Sequence, residues 1–121
     1  ELKDYKFFCF NGEPKYCQVI SDRNTDEKID FYDMNWKRLL GLLGLSDDIR
    51  NSEIDAPCPY SFDEMKRMAK MLAKDIPFSR IDFYEINRKA YFGEITFYPA
   101  SGFGVFRPDE WNLKMGNLIN I

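Results

Sequence analysis

Aromatic and β-branched residues dominate two neighbouring segments near the start of the chain. Residues 4–10 and 15–22 read as strands, and Asn11-Gly12-Glu13-Pro14 lies between them. Asn-Gly favours a tight turn because both residues tolerate positive φ. These segments therefore predict a β-hairpin. The following stretch, 22–33, is rich in charged residues and predicts an exposed loop.

A second pair of strand-like segments lies further along the chain. Residues 78–86 and 90–97 alternate polar and apolar positions and flank Asn87-Arg88-Lys89. They predict a second hairpin with a three-residue loop.

Helical periodicity is clearest after the motif Ser61-Phe62-Asp63-Glu64, which matches a capping box. Two weaker helices are predicted at 35–43 and 108–116, where Pro108 would open the second. The resulting fold class is α+β, with an antiparallel sheet built from two hairpins and helices packed on one face. The apolar stripe of the main helix consists of Met65, Met68, Ala69, Leu72, Ala73 and Ile76.

Composition narrows the functional classes. The chain of 121 residues is sized for one domain, and its net charge of −3 disfavours nucleic acid as a partner. Histidine is missing altogether, which excludes His-based triads and His metal ligands.

No apolar run is long enough to span a membrane. Cys9, Cys17 and Cys58 lack metal-site spacing and predict reduced thiols in a cytoplasmic protein.

Two acidic residues of the second hairpin are the strongest candidates for chemistry. With a three-residue loop, Asp82 lies opposite Glu94 and Arg80 lies opposite Thr96, and alternation puts Phe92 on the same side as Glu94. Facing carboxylates repel each other, and a divalent cation would relieve that repulsion. A loop of two or four residues would break the alignment. The alternative is that both acids are solvent-facing strand residues.

Lys6 is a second candidate, because it shares one face of the first strand with Asp4. Its ammonium group could reach a phosphate, although spacing alone favours an ordinary surface lysine.

An ordered set of segments resembles the TupA-like ATP-grasp family. The first is Asp4-Tyr5-Lys6-Phe7-Phe8-Cys9-Phe10-Asn11-Gly12, followed by Phe31-Tyr32-Asp33. The others are Pro77-Phe78-Ser79-Arg80-Ile81-Asp82-Phe83-Tyr84 and Phe92-Gly93-Glu94-Ile95-Thr96-Phe97-Tyr98-Pro99-Ala100-Ser101-Gly102-Phe103-Gly104. The resemblance runs nearly end to end. It implies a structure like the C-terminal subdomain of an ATP-grasp unit.

The resemblance also implies roles for single residues. Arg80 and Asp82 match a late Arg-x-Asp strand of ATP-grasp enzymes, and Glu94 matches the acidic ligand of the next strand. Asp82 and Glu94 would then bind Mg²⁺ that bridges ATP phosphates. Arg80 would be catalytic and stabilise an acyl phosphate or its transition state, and Lys6 would contact phosphate or substrate. Thr96 stands where many relatives carry Asn.

By the same resemblance, residues 1–121 are one domain and the C-terminal portion of an ATP-grasp unit, that is, a fragment of a longer chain. The N-terminal part, with most adenine contacts, would be its missing partner. We expect the fragment alone to be inactive, and the surface left uncovered could pair in a homodimer.

The function implied is that of an ATP- and Mg²⁺-dependent carboxylate–amine ligase in bacterial surface polysaccharide or peptidopolymer biosynthesis, acting on a small molecule or saccharide. Many relatives are labelled glycosyltransferases, so a portion of a glycosyltransferase is one alternative, although the sequence has no Asp-x-Asp motif. A metal nuclease with Asp…Glu-x-Lys would need Lys where Thr96 stands. A non-catalytic binding module with an aromatic sheet is the third alternative.

Overall fold

The structure, a computed structural model, describes residues 3–21, 28–39 and 55–97. Its elements are β1 (Asp4–Phe10), β2 (Glu13–Ser21), β3 (Lys28–Asp33), α1 (Phe62–Leu72), β4 (Phe78–Ile86) and β5 (Lys89–Thr96). The strands form one five-stranded sheet in the order β3-β2-β1-β4-β5, and every neighbouring pair is antiparallel. β1 is therefore the central strand, and it joins the two hairpins.

The first hairpin forms as predicted, with a tighter turn. Asn11 and Gly12 have φ of 52° and 83°, so they make a two-residue turn and β2 begins already at Glu13. Pairing passes from Phe8 opposite Tyr16 to Cys9 opposite Pro14, which leaves one extra residue in β2. Pro14 has no N–H for the ladder, and it is tolerated because it lies at this bulge.

The prediction of an exposed loop over 22–33 is wrong for its second half, because residues 28–33 form strand β3. Ile29, Phe31 and Tyr32 are fully buried and provide the packing. Asp30 is buried as well, and its carboxylate lies 3.6 Å from the Arg38 guanidinium. The charged residues predicted a loop here, but the charge of Asp30 is neutralised by Arg38, so Asp30 can be buried in a strand.

Helix α1 begins where the sequence predicts, but its N-terminus is held differently. Ser61 makes no side-chain cap to the helix. Instead, Glu85 Oε2 in β4 accepts hydrogen bonds from the Ser61 N–H and Oγ–H, both at 2.7 Å. The capping box predicted the helix start correctly, but a distant strand provides the acceptor.

The predicted helix at 35–43 is not present over the part that the structure describes, 35–39. Asp33 Oδ1 accepts hydrogen bonds from the N–H groups of Asn35 and Lys37, and Trp36 has φ of 61°. This tight loop turns the chain back onto β3, where the Leu39 N–H donates to the Phe31 carbonyl. Residues 40–43 and the predicted helix at 108–116 lie outside the described residues.

Each face of the sheet carries a buried apolar cluster. On the face that we call the helix face, α1 packs on a cluster that includes Phe7, Ile81 and Phe83. On the other, the second face, Phe8, Phe10, Phe31 and Phe78 form another apolar cluster. The antiparallel sheet of the predicted α+β class is thus confirmed, with β3 as a strand beyond the two hairpins, and α1 is the one helix within the described residues. No helix in the described ranges has the length and apolar character needed to cross a membrane.

Candidate functional site

The second hairpin brings Asp82 opposite Glu94, and it does so by a route different from the predicted one. Its turn has two residues, Asn87 and Arg88, with φ of 52° and 65°, and Ile86 pairs with Lys89. A two-residue turn alone would offset the two acids by one position. The register shifts back between Asp82 and Phe83, so Asp82 still faces Glu94.

The residue that restores the register is Gly93, which forms a β-bulge in β5. A Cβ at this position would lie 2.8 Å from the Tyr84 ring and 3.2 Å from the Asp82 carbonyl oxygen, so the close approach of the strands requires glycine. The bulge also reverses part of the predicted side pattern. The Phe92 ring contacts the Phe83 ring on the helix face, whereas Glu94 points to the second face.

Five charged side chains from three adjacent strands meet on the second face, and we call them the charged cluster: Asp4, Lys6, Arg80, Asp82 and Glu94. Lys6 in β1 and Asp82 in β4 are cross-strand partners, because β1 pairs with β4. Lys6 Nζ lies 2.8 Å from Asp82 Oδ2 and 3.6 Å from Asp4 Oδ2. Lys6 is thus part of a buried ion-pair network and not an ordinary surface lysine.

Arg80 joins the two acids of the hairpin. Its Nε and Nη2 donate to Asp82 Oδ1 and Oδ2, both at 3.0 Å. The same Nη2 lies 3.7 Å from Glu94 Oε1 and 3.5 Å from Thr96 Oγ1. The four residues predicted as site residues are therefore joined in one series of contacts, from Lys6 through Asp82 and Arg80 to Glu94.

The two carboxylates differ sharply in accessibility. The Asp82 side chain is 3% exposed and accepts three hydrogen bonds from Lys6 and Arg80, whereas the Glu94 side chain is 66% exposed. Among the described residues, no three acidic or cysteine side chains converge to hold a metal ion on their own. Mg²⁺ is commonly held by one or two carboxylates together with substrate phosphates, and the donors here fit that mode.

Gln18 is a neighbour of the cluster that sequence reasoning missed. It lies in β2 directly opposite Lys6 and is 1% exposed, and its Nε2 has no hydrogen-bond partner among the described residues. An unpaired buried donor is costly, which makes this amide a potential partner for an oxygen acceptor. Strand alternation could have placed it here only if the pairing of β1 with β2 was already known.

The thiols do not form a reactive centre. Cys9 and Cys17 are buried on the helix face, and burial raises the pKa of Cys9 to about 12 and that of Cys17 well above its ordinary value. Both thiols are therefore protonated at neutral pH and are poor nucleophiles. Cys58 is exposed, and all three cysteines are free.

A shallow groove of about 460 Å³ lies between the first turn and the end of α1. None of the predicted site residues lines it. Of its basic residues, Arg67 and Lys70 lie on the solvent side of α1 and Lys74 is exposed just beyond the helix end, and Lys70 pairs with Glu13 at 3.5 Å. The residues that line this groove do not form a buried ion-pair network like that of the charged cluster.

Comparison with known proteins adds one match. The model of the family described as TupA-like ATPgrasp matches residues 1–120 of this chain. No curated protein and no solved structure matches it. The match includes both hairpins and α1, so the whole charged cluster falls within it.

Proposed function

The chain belongs to the TupA-like ATPgrasp family, and we propose that its charged cluster is the phosphate- and metal-binding part of a nucleotide site in an ATP- and Mg²⁺-dependent ligase. Family membership indicates an ATP-grasp-related function. The observation that carries the finer proposal is the network in which Arg80 lies within 3.7 Å of both Asp82 and Glu94 while Lys6 lies 2.8 Å from Asp82. On one face of the sheet, two cationic side chains would suit phosphate oxygens, and the two carboxylates beside them would suit the metal ion that the phosphates carry.

Each residue has a distinct proposed role. Asp82 and Glu94 would hold Mg²⁺, and Glu94 would be the first to meet it because this side chain is mostly exposed. Lys6 and Arg80 would bind phosphate oxygens, and the planar guanidinium of Arg80 suits two of them at once. Bound Mg²⁺ would neutralise the phosphate charge as it develops.

The reaction that we propose is carboxylate activation followed by amide formation. A substrate carboxylate attacks the γ-phosphorus of ATP, which forms an acyl phosphate and releases ADP. An amine then attacks the acyl carbon, which forms the amide and releases phosphate. Arg80 would stabilise the negative charge on the transferring phosphoryl group, and such electrostatic stabilisation is the main contribution of the protein.

Adenine contacts would come from a part of the ATP-grasp unit outside these 121 residues, so we propose that this chain alone does not turn over ATP. Resemblance to the family supports a role in bacterial surface polysaccharide or peptidopolymer biosynthesis. Three free cysteines, two of them buried, support a reducing, cytoplasmic setting.

Nucleotide binding by the full-length protein tests the proposed site. Glu94→Gln keeps the shape of the side chain and removes its charge, so the affinity for Mg-ADP, measured by calorimetry, should fall about tenfold or more, equivalent to 1.4 kcal/mol. Glu64→Gln, on the opposite face of the sheet, is the matched control and should bind as the wild type does. Equal affinity in all three proteins would remove Glu94 from the site.

A product assay separates the ligase from a glycosyltransferase. A ligase consumes ATP and forms ADP and phosphate only when both a carboxylate and an amine are present. A glycosyltransferase releases a nucleotide from a sugar nucleotide without consuming ATP. Turnover of sugar nucleotide without ATP would overturn the ligase proposal.

A further inference from the structure

The ammonium group of Lys6 is paired with Asp82, and the proposed metal site requires the same carboxylate. Lys6 Nζ is 2.8 Å from Asp82 Oδ2, and Arg80 donates to both oxygens of the same carboxylate. An ionised carboxylate offers about four lone-pair positions, and three are already used here. The Asp82 side chain is only 3% exposed, so solvent does not compete for the remainder.

Oδ2 already accepts from Lys6 and Arg80, so the open position is on Oδ1, and a divalent cation bound there would be repelled strongly by the Lys6 ammonium on the same carboxylate. Mg²⁺ binds oxygen at about 2.0–2.1 Å, so it would lie within a few ångströms of the Lys6 charge in a buried environment where screening is weak. Glu94 alone remains accessible, and a single exposed carboxylate is a poor site for Mg²⁺.

Lys6 also has a second anionic neighbour. Asp4 Oδ2 lies 3.6 Å from Nζ, further along β1 in the direction away from Arg80, and the Asp4 carboxylate is itself buried. An ammonium group drawn away from Asp82 would therefore remain near a second negative charge. A phosphate oxyanion above the cluster would draw it further away.

We infer that Lys6 blocks the metal site until a phosphate-bearing ligand engages its ammonium group, so that metal binding depends on prior or simultaneous phosphate binding. This inference rests on the proposed function, because it presumes that Asp82 and Glu94 hold the metal. Lys6 acts here as a positioning residue through Asp82. It prevents a bare divalent cation from filling the site and makes the two ligands bind cooperatively.

Titration with Mn²⁺ alone, without nucleotide, tests the inference on the full-length protein. Wild-type protein should bind weakly, and Lys6→Met should bind about tenfold more tightly or better, a difference of 1.4 kcal/mol. Free Mn²⁺ is measured directly by its electron paramagnetic resonance signal at constant ionic strength. Lys70→Met, which removes an exposed lysine paired with Glu13, is the matched control and should bind as the wild type does.

Two further variants make the result decisive. Lys6→Gln keeps a hydrogen-bond donor near Asp82 and should show the same gain, even if Lys6→Met folds poorly. Glu94→Gln added to either variant should abolish the gain, which shows that the new metal lies at the proposed site. A gain of affinity cannot arise from loss of structure alone.

The outcomes separate the inference from the proposed function. Equal Mn²⁺ affinity in wild type, Lys6→Met and Lys6→Gln overturns the inference, whatever the nucleotide titrations show. A gain that survives Glu94→Gln places the metal elsewhere and overturns it as well. Failure of the full-length protein to bind Mg-ADP, with the Mn²⁺ gain intact, overturns the nucleotide site alone.

Discussion

Lys6 and Asp82 form an ion pair of 2.8 Å between the central strand of the sheet and its neighbour. The two residues are 76 positions apart in the chain, and the antiparallel pairing of β1 with β4 makes them direct cross-strand partners. This pair links the two hairpins electrostatically, and both of its side chains are largely buried. It therefore affects the stability of the fold as well as its chemistry.

Asp82→Asn should destabilise the chain far more than Glu94→Gln. Removing the Asp82 charge leaves Lys6 and Arg80 without their shared counter-ion, and breaking such a buried pair typically costs about 3–5 kcal/mol. Glu94 is two-thirds exposed, so the loss of its charge should change the free energy of unfolding by less than about 1 kcal/mol. Urea unfolding of both variants checks this. Equal destabilisation would show that the network is not what the distances indicate.

Glu85→Ala should destabilise α1 more than Glu64→Ala does. Glu85 accepts the hydrogen bond from the Ser61 N–H that the capping box would have assigned to Glu64, and it accepts a second one from the Ser61 hydroxyl. Its loss should cost about 1–2 kcal/mol, as for other lost caps and charged hydrogen bonds. The Glu64 variant loses only a favourable first-turn charge, about 0.3–1 kcal/mol. Thermal unfolding followed by circular dichroism compares the stability of the two variants. A larger loss in Glu64→Ala would show that Glu64, and not Glu85, caps the helix.

Gly93→Ala should strain the bulge that aligns the two acids. The new Cβ meets the Tyr84 ring at 2.8 Å, and overpacking of this kind usually costs about 1–3 kcal/mol. In a Tyr84→Leu background the side chain is smaller, so the same substitution should cost clearly less. A double-mutant cycle measures this coupling, and strictly additive effects would show that the ring is not the obstacle.

Only one thiol per native chain should react with a water-soluble disulfide reagent at neutral pH. Cys58 is exposed, whereas Cys9 and Cys17 are buried. Burial raises the pKa of Cys9 to about 12, so its nucleophilic thiolate is scarce. In denaturant all three should react. Cys58→Ser should abolish the native reaction, and rapid labelling of a second thiol would contradict the buried placement.

Stability should fall in strongly alkaline solution. Burial raises the pKa of Cys9 from 9.0 to about 12 and that of Tyr5 from 10.0 to about 12. The unfolded chain releases these protons at lower pH than the folded chain does. The stabilising contribution is therefore complete below about pH 9 and is lost progressively towards pH 12. Urea unfolding across this range checks the slope, which should be shallower in Cys9→Ala, and a stability that rises with pH would contradict it.

The alignment of Asp82 with Glu94 was predicted correctly for an incomplete reason. The prediction assumed a three-residue loop. The structure has a two-residue turn followed by a one-residue bulge, and beyond the bulge this gives the same pairing. The Asn87-Arg88 turn and Gly93 are both visible in the sequence, but a single glycine in a strand marks a bulge, a bend or a close approach without distinguishing them. The contact with Tyr84 shows which of these applies.

Local patterns in the sequence determined β1, β4, the turn at Asn11-Gly12 and the start of α1, because alternation, turn residues and helical periodicity act between near neighbours. Tertiary structure alone decided that β1 pairs with β4, that 28–33 joins the sheet as β3, and that Glu85 holds Ser61. Those contacts join residues distant in sequence, and their stability comes from burial and charge pairing that exist only once the sheet has assembled. For the same reason, Lys6 could be identified as a candidate from its strand, but its position against Asp82 could not.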